Sequence, residues 1–137
     1  MIVLILLLGI LFYALDKYHY PCKKKVSLYH NLLHYVHNTM AILVYLGPFL
    51  FTDNSILYIL MGATILLLFQ GLVNPNKKQS CILMPIYNKE CGIEKDRKLY
   101  DIFSVLQIKQ RMLSDDFNLL YYAVHASLLV YIIMKIK

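Results

Sequence analysis

Three histidines in the stretch YHNLLHYVHN stand at spacings that could support ligand chemistry. His30, His34 and His37 follow one another at intervals of four and three residues. On an α-helix these intervals place the three imidazoles on one face, within about 60° of each other. Imidazole binds both zinc and haem iron. A metal site built from His30 and His34, with His19 as a third ligand, is therefore one interpretation of the spacing.

A haem is the second interpretation, and the structural role of these histidines is the third. Haem b held by two histidines needs axial imidazoles from different helices at matching depth, and His37 with His125 fit this requirement in the sequence. These two are the candidate cofactor-binding residues. The carboxylates or thiolates that would complete a metal site are not adjacent. We therefore expect no metal and no cofactor, with each histidine bonded inside a helix bundle for about 1 kcal/mol.

Other catalytic signatures are missing from the sequence. It contains no phosphate-binding glycine loop, no H-E-x-x-H and no nucleophile elbow. We expect the interior of every predicted span to lack Asp and Glu, which disfavours a proton-relay transporter. The net charge of +6 lies beside these segments and does not indicate nucleic-acid binding. We predict no catalytic residue, no enzymatic activity and no small-molecule substrate.

The elements that would hold these histidines are apolar helices. Of 137 residues, 59% are hydrophobic and 16% are charged, which is outside the range of soluble domains of this size. The sequence predicts an all-α integral membrane protein, in one membrane domain covering 1–137. Ser27 is the expected N-cap of the second span, and Gly62 and Ala63 are the expected close-approach points of the third. The four predicted transmembrane helices cover about residues 2–20, 28–51, 55–73 and 117–135.

The connection between the last two spans, residues 74–116, contains a predicted amphipathic interfacial helix over residues 95–113. Its apolar side chains recur at intervals of three and four, with charged side chains opposite. Such a helix lies in the lipid headgroups or docks against a partner protein. The residues predicted to bind lipid or a partner are Lys23, Lys24, Lys25, Lys77, Lys78, Arg97, Lys98, Leu99, Phe103 and Leu106.

Lysine counts predict the orientation, and the orientation predicts the state of the cysteines. Twelve of the 14 Lys and Arg residues lie in the two connections that share one side of a four-span protein, and the positive-inside rule assigns that side to the cytosol or the matrix. A reducing cytosol favours free thiols at Cys22, Cys81 and Cys91. In an oxidising compartment, a disulfide between Cys81 and Cys91 could close a hairpin, and Cys22 would take no part in it. Assembly inside a virus particle or an organelle would also permit a disulfide.

Two stretches carry a resemblance to a known group of proteins. HYVHN opens one span, and FQGLVNPNKKQSCIL closes the next with an Asn-rich turn followed by Cys-x-Leu, all between His34 and Tyr87. This region resembles small polytopic membrane proteins of large DNA viruses of eukaryotes. The resemblance implies a viral membrane component without a known reaction, and it transfers no functional residue.

The expected function is therefore a structural or assembly role in a membrane. Four short spans with few small residues pack weakly alone, so the protein is expected to work inside a larger complex. The predicted partners are the lipid bilayer and other membrane or capsid proteins, in a virion internal membrane or a host endomembrane. The alternative is a small subunit of a respiratory complex in the mitochondrial inner membrane, with or without haem b.

Overall fold

The computed structural model describes residues 1–19, 21–73, 89–92 and 114–137. Within these ranges the regular secondary structure is helical, which confirms the predicted all-α class. The predicted amphipathic helix of residues 95–113 lies outside the described residues. Each long helix begins and ends within three residues of a predicted apolar segment. The long helices are α1 (Ile2–His19), α2 (Leu28–Leu50), α3 (Asn54–Val73) and α4 (Ser114–Lys135).

Two of these helices have the length and the composition to cross a membrane. They are α1 and the part of α4 from Asp116 to Lys135. The apolar part of α3, Asn54–Gln70, is shorter than the length expected of a span. The structure thus contains two candidate spans within its described residues, whereas the sequence predicts four.

The chain divides into two compact units. The first contains Met1–Ile42 with Ser80–Arg111, and the second contains Leu43–Gln79 with Met112–Lys137. The division falls within α2, so its first part belongs to one unit and its last part to the other. The two units are therefore described separately.

In the first unit, α1 lies antiparallel to the beginning of α2. The buried residues of α1 are Ile5, Gly9 and Asp16. A Cβ atom at Gly9 would overlap the hydroxyl of Thr39 and lie 3.3 Å from the ring of Tyr35. The Tyr35 hydroxyl donates to the carbonyl oxygen of Leu6 at 3.4 Å. Glycine at position 9 therefore permits the close approach of the two helices.

In the second unit, α3 packs against α4 and against the last part of α2. The buried apolar core is formed by Val44, Leu57, Leu60, Leu128 and Ile132. A Cβ at Gly47 would lie 2.8 Å from a methyl group of Leu60, so Gly47 is a point of close approach. Gly62, in contrast, faces open space. The prediction that Gly62 brings helices together is wrong, because its position falls on the exposed side of α3.

Polar groups fix the ends of the helices. The backbone N–H of His30 donates to Ser27 Oγ at 3.3 Å, which confirms Ser27 as the N-cap of α2. Asp53 caps α3 through a bond of 3.2 Å from the N–H of Ile56. At the other end of the second unit, Lys135 Nζ donates to the carbonyl oxygen of Pro48 at 2.6 Å. This bond joins the ends of α2 and α4.

Candidate functional site

A buried carboxylate and a buried imidazole meet in the first unit. Asp16 lies near the end of α1, and His34 lies in the second turn of α2. Asp16 Oδ2 and His34 Nε2 are 2.5 Å apart, and both side chains are fully buried. A carboxylate and an imidazole at this distance form a short hydrogen bond. The pair joins two buried ionisable side chains from different helices.

Asp16 corrects the expectation that no acidic residue lies inside a span. It falls within Ile2–His19, one of the two candidate spans. A buried ionisable residue in a span is a candidate functional group by default, since it is costly there without a partner. The argument that disfavoured a proton relay for want of an acid is therefore wrong. His34 faces the interior, as its helical spacing predicts, and its partner there is Asp16.

A signal for Asp16 was present in the sequence. Ile5, Gly9 and Asp16 are separated by four and seven residues, an interval that repeats along one face of a helix. Asp16 thus lies on the same face as the glycine that permits close approach. Because Asp16 follows the uninterrupted apolar run, the sequence alone suggests a residue that flanks the span. The shared face of Ile5, Gly9 and Asp16 is therefore the signal that indicates burial of this acid.

Polar side chains adjoin the buried pair. The ring of Tyr13 stands edge-on to that of His34, with 5.2 Å between the centroids. The hydroxyl of Tyr13 donates to Asn31 Oδ1 at 3.2 Å, and Lys17 Nζ donates to the same oxygen at 2.7 Å. The pair and its neighbours join α1 to α2 through polar side-chain contacts. This arrangement can fix the register of the two helices through contacts between their side chains.

The histidines proposed as metal ligands are used in other ways. His30 Nδ1 lies 2.8 Å from Ser27 Oγ, and His34 Nε2 faces Asp16. Within the described part of the chain, no group of three or more His, Cys, Asp or Glu side chains is placed to hold a metal ion. The structure does not bring His19, His30 and His34 together as a ligand set.

The two candidate haem ligands belong to different units. His37 is half-buried in the first unit, and His125 is fully buried in the second. His125 Nδ1 lies 2.7 Å from the carbonyl oxygen of Tyr121, so this nitrogen carries the proton. The remaining lone pair, on Nε2, accepts the hydroxyl of Tyr45 at 3.0 Å. In this arrangement Tyr45 occupies the lone pair that an iron would need, and the haem interpretation stays a prediction.

A disulfide joins two distant parts of the first unit. Cys22, after α1, is bonded to Cys91, and their Cα atoms are 4.7 Å apart. The expectation of free thiols at Cys22 and Cys91 is therefore wrong, and so is the alternative pairing of Cys91 with Cys81. Cys81 itself lies outside the described residues. The N–H groups of Lys23 and Lys24 donate to the Cys91 carbonyl oxygen at 2.9 and 3.3 Å, which aligns the two segments.

Three of the predicted lipid-binding or partner-binding residues can be located. Lys23, Lys24 and Lys25 are exposed next to the disulfide. Their ammonium groups are thus placed where they can meet an anionic surface. The other seven lie outside the described residues: Lys77, Lys78, Arg97, Lys98, Leu99, Phe103 and Leu106.

Comparison with known proteins returns no relative. No protein-family model, no curated protein and no solved structure matches the chain. The features that can support a function are therefore this chain's own: its exposed apolar helices, the buried Asp16–His34 pair and the disulfide with its adjoining lysines.

Proposed function

We propose that the chain is a four-span membrane protein with a structural, non-enzymatic role in a larger assembly. The observation that carries this proposal is the apolar surface of all four helices. Large apolar side chains that are more than half exposed include Leu7, Ile10, Leu32, Met40, Leu66, Phe69, Leu119 and Ile133. In water such a surface promotes association, whereas hydrocarbon tails solvate it.

The burial of the candidate spans supports the membrane location. Only 17% of the α1 window and 28% of the α4 window are buried. The core helix of a soluble protein would be mostly buried. The buried face of α1 contacts α2 at Asp16 and Gly9, so α1 packs as part of the fold.

The polar residues of α2 and α3 are compatible with spans as well. These helices have 23 and 20 residues, and about 20 residues suffice to cross the hydrocarbon core. On α2, His34 and Asn38 are buried, which keeps their polar groups away from lipid. On α3, the hydroxyl of Thr64 donates to the carbonyl oxygen of Leu60 at 2.8 Å. Such bonds lower the cost of polar side chains within a bilayer.

The assembly role is supported by how the buried polar groups are used. Asp16 binds His34, and Tyr45 binds His125, each within its own unit. These bonds connect helices, as structural groups do. The resemblance to small viral membrane proteins favours a virion internal membrane or a host endomembrane, with membrane or capsid proteins as partners.

Membrane insertion can be tested at the middle of α3. Leu66 is 68% exposed, so its side chain faces lipid in the proposed arrangement. Leu66→Arg is expected to cost about 2.5–3.5 kcal/mol of insertion free energy, because the charge enters hydrocarbon. The measurement is the fraction of a glycosylation-tagged chain that inserts α3. Ser55→Arg, at the exposed start of α3, is the matched control and should insert normally. Equal insertion of both variants would contradict a lipid-facing α3.

The assembly role predicts a stable neighbour. Cross-linking through exposed lysines in intact source membranes should join the chain of 16.0 kDa to a second protein species. Lysines beside the disulfide provide the reactive amines, and mass spectrometry identifies the joined peptides. Recovery of the chain only as a monomer or only bound to lipid, with its fold intact by circular dichroism, would refute the assembly role while leaving the membrane location in place.

A further inference from the structure

We infer that a polar cleft at the end of α1 binds a phosphate group, and this inference rests on the proposed membrane location of the chain. The cleft has a volume of about 380 Å³. Two of its six lining residues carry a positive charge and none carries a negative one, so the cleft attracts an anion. The lining residues are Lys17, Pro21, Cys22, Lys24, Val26 and Asn31.

The first cation of the cleft, Lys17, is held in place by its neighbours. Its Nζ donates to Asn31 Oδ1 at 2.7 Å and lies 4.8 Å from the centre of the Tyr13 ring. Asn31 is fixed in turn, because its Nδ2 donates to the carbonyl oxygen of Val26 at 3.3 Å. An ammonium group has three N–H donors, and Asn31 takes one of them. Lys17 thus presents a positioned donor to the cleft, which lowers the entropy cost of binding an anion.

The second cation, Lys24, is positioned by the disulfide segment. Its backbone N–H donates to the carbonyl oxygen of Cys91, and Cys91 is bonded to Cys22 in the cleft wall. The next residue, Gly92, has a φ of 70°, a conformation that glycine adopts without strain. A Cβ at Gly92 would lie 3.1 Å from Lys24 Cγ. The aliphatic stem of Lys24 therefore passes over Gly92, where any larger residue would press against it.

The location of the cleft matches the depth of a lipid phosphate. Lys17 lies in the last turn of α1, where the candidate span ends. Lysines at the end of a span meet the headgroup phosphates and are attracted to anionic lipid. A free phosphate offers the same chemistry to the two ammonium groups. The ligand class is thus a phosphate carried by an anionic headgroup or free in solution.

Binding can be measured by native mass spectrometry of the full chain released from detergent micelles. The wild type is expected to retain phosphatidylglycerol in preference to phosphatidylcholine. Lys24→Gln is expected to weaken this retention about fivefold, the effect of one lysine near an anionic headgroup. Lys17→Gln should act in the same direction, and the two variants together should abolish the preference. Circular dichroism of each variant shows whether the helices remain intact.

The matched control is Lys89→Gln, which makes the same charge change at an exposed lysine outside the cleft lining. Equal weakening by Lys89→Gln and Lys24→Gln would overturn the site, because it would show only diffuse charge attraction. Displacement of the lipid by excess inorganic phosphate assigns the cleft to free phosphate, and resistance to displacement assigns it to the headgroup. The chain could insert normally in the Leu66 experiment and yet show no preference for phosphatidylglycerol and no competition by phosphate. That result would refute the phosphate site and leave the membrane location in place.

Discussion

Replacing His34 by leucine is expected to lower the free energy of unfolding by about 3–5 kcal/mol, because Asp16 would keep a buried carboxylate without its imidazole partner. Both side chains are fully buried, and the bond between them is 2.5 Å long. Asp16→Leu should cost a similar amount by leaving the imidazole behind. The measurement is the loss of helical circular dichroism as SDS is added to the chain in mixed micelles.

The double variant Asp16→Leu/His34→Leu distinguishes two contributions to the free energy of unfolding. One is the cost of burying a polar group without its partner, and the other is the stabilisation that the intact pair provides. Two apolar side chains of similar volume need no partner, and such replacements of buried ion pairs are neutral or stabilising by about 1–4 kcal/mol. We expect the double variant to be more stable than either single variant. A double-mutant cycle then gives the coupling energy between the two residues.

His30→Leu is the matched control on the same helix. His30 is half-exposed: its Nδ1 makes a hydrogen bond of 2.8 Å with the exposed Ser27 hydroxyl, and its ring stands edge-on to that of Tyr29. Losing that bond should cost about 1 kcal/mol or less. If His34→Leu proved no more harmful than His30→Leu, Asp16 and His34 would not form a buried pair in the folded protein.

The helices could be predicted from the sequence because their signal is local. A run of apolar residues, a capping serine such as Ser27 and the turn at Asp53 are each read within a few positions. The predicted spans therefore agree with the observed helices to within three residues. A helix is not by itself a span: among the described residues only two helices are both long and apolar enough, and the apolar part of α3, Asn54–Gln70, is too short.

The contacts between helices could not be predicted in the same way. The His30, His34 and His37 pattern indicates a shared face, but only His34 among them is fully buried, and Asn38 continues the buried face one turn later. The partner of His34 is 18 residues away on another helix. Periodicity reports which side of a helix is polar, and it contains no information on which residue of a neighbouring helix lies opposite.

The pairing of the cysteines could not be predicted from the sequence for the same reason. Cys22 and Cys91 are separated by 69 residues, whereas the sequence spacing points only to a pairing of Cys81 with Cys91. Lysine counts then suggested that all three thiols face a reducing space. The observed bond conflicts with that orientation, because disulfides persist in oxidising compartments and are rare in the cytosol.

Removing the disulfide is expected to lower the free energy of unfolding by about 4 kcal/mol. The bond closes a loop of 69 residues, and the entropy of such a loop in the unfolded chain accounts for a loss of this size. Cys22→Ser and Cys91→Ser should each produce the full effect, and the double variant should add little. Cys81→Ser is the control, since it leaves the bond intact. Unfolding in mixed micelles, with and without reductant, measures the difference.

The same bond predicts the orientation of the chain. Because the disulfide needs an oxidising space, we expect Cys22 and its neighbouring lysines to face the lumen or the exterior, opposite to the side that the lysine count indicates. After mild reduction of sealed vesicles, a membrane-impermeant maleimide applied from that side should label Cys22. Labelling only from the cytosolic side would contradict the orientation. Free Cys22 in folded chains alkylated before lysis would contradict the disulfide itself, and the cleft beside it would then lose the bond that positions Lys24.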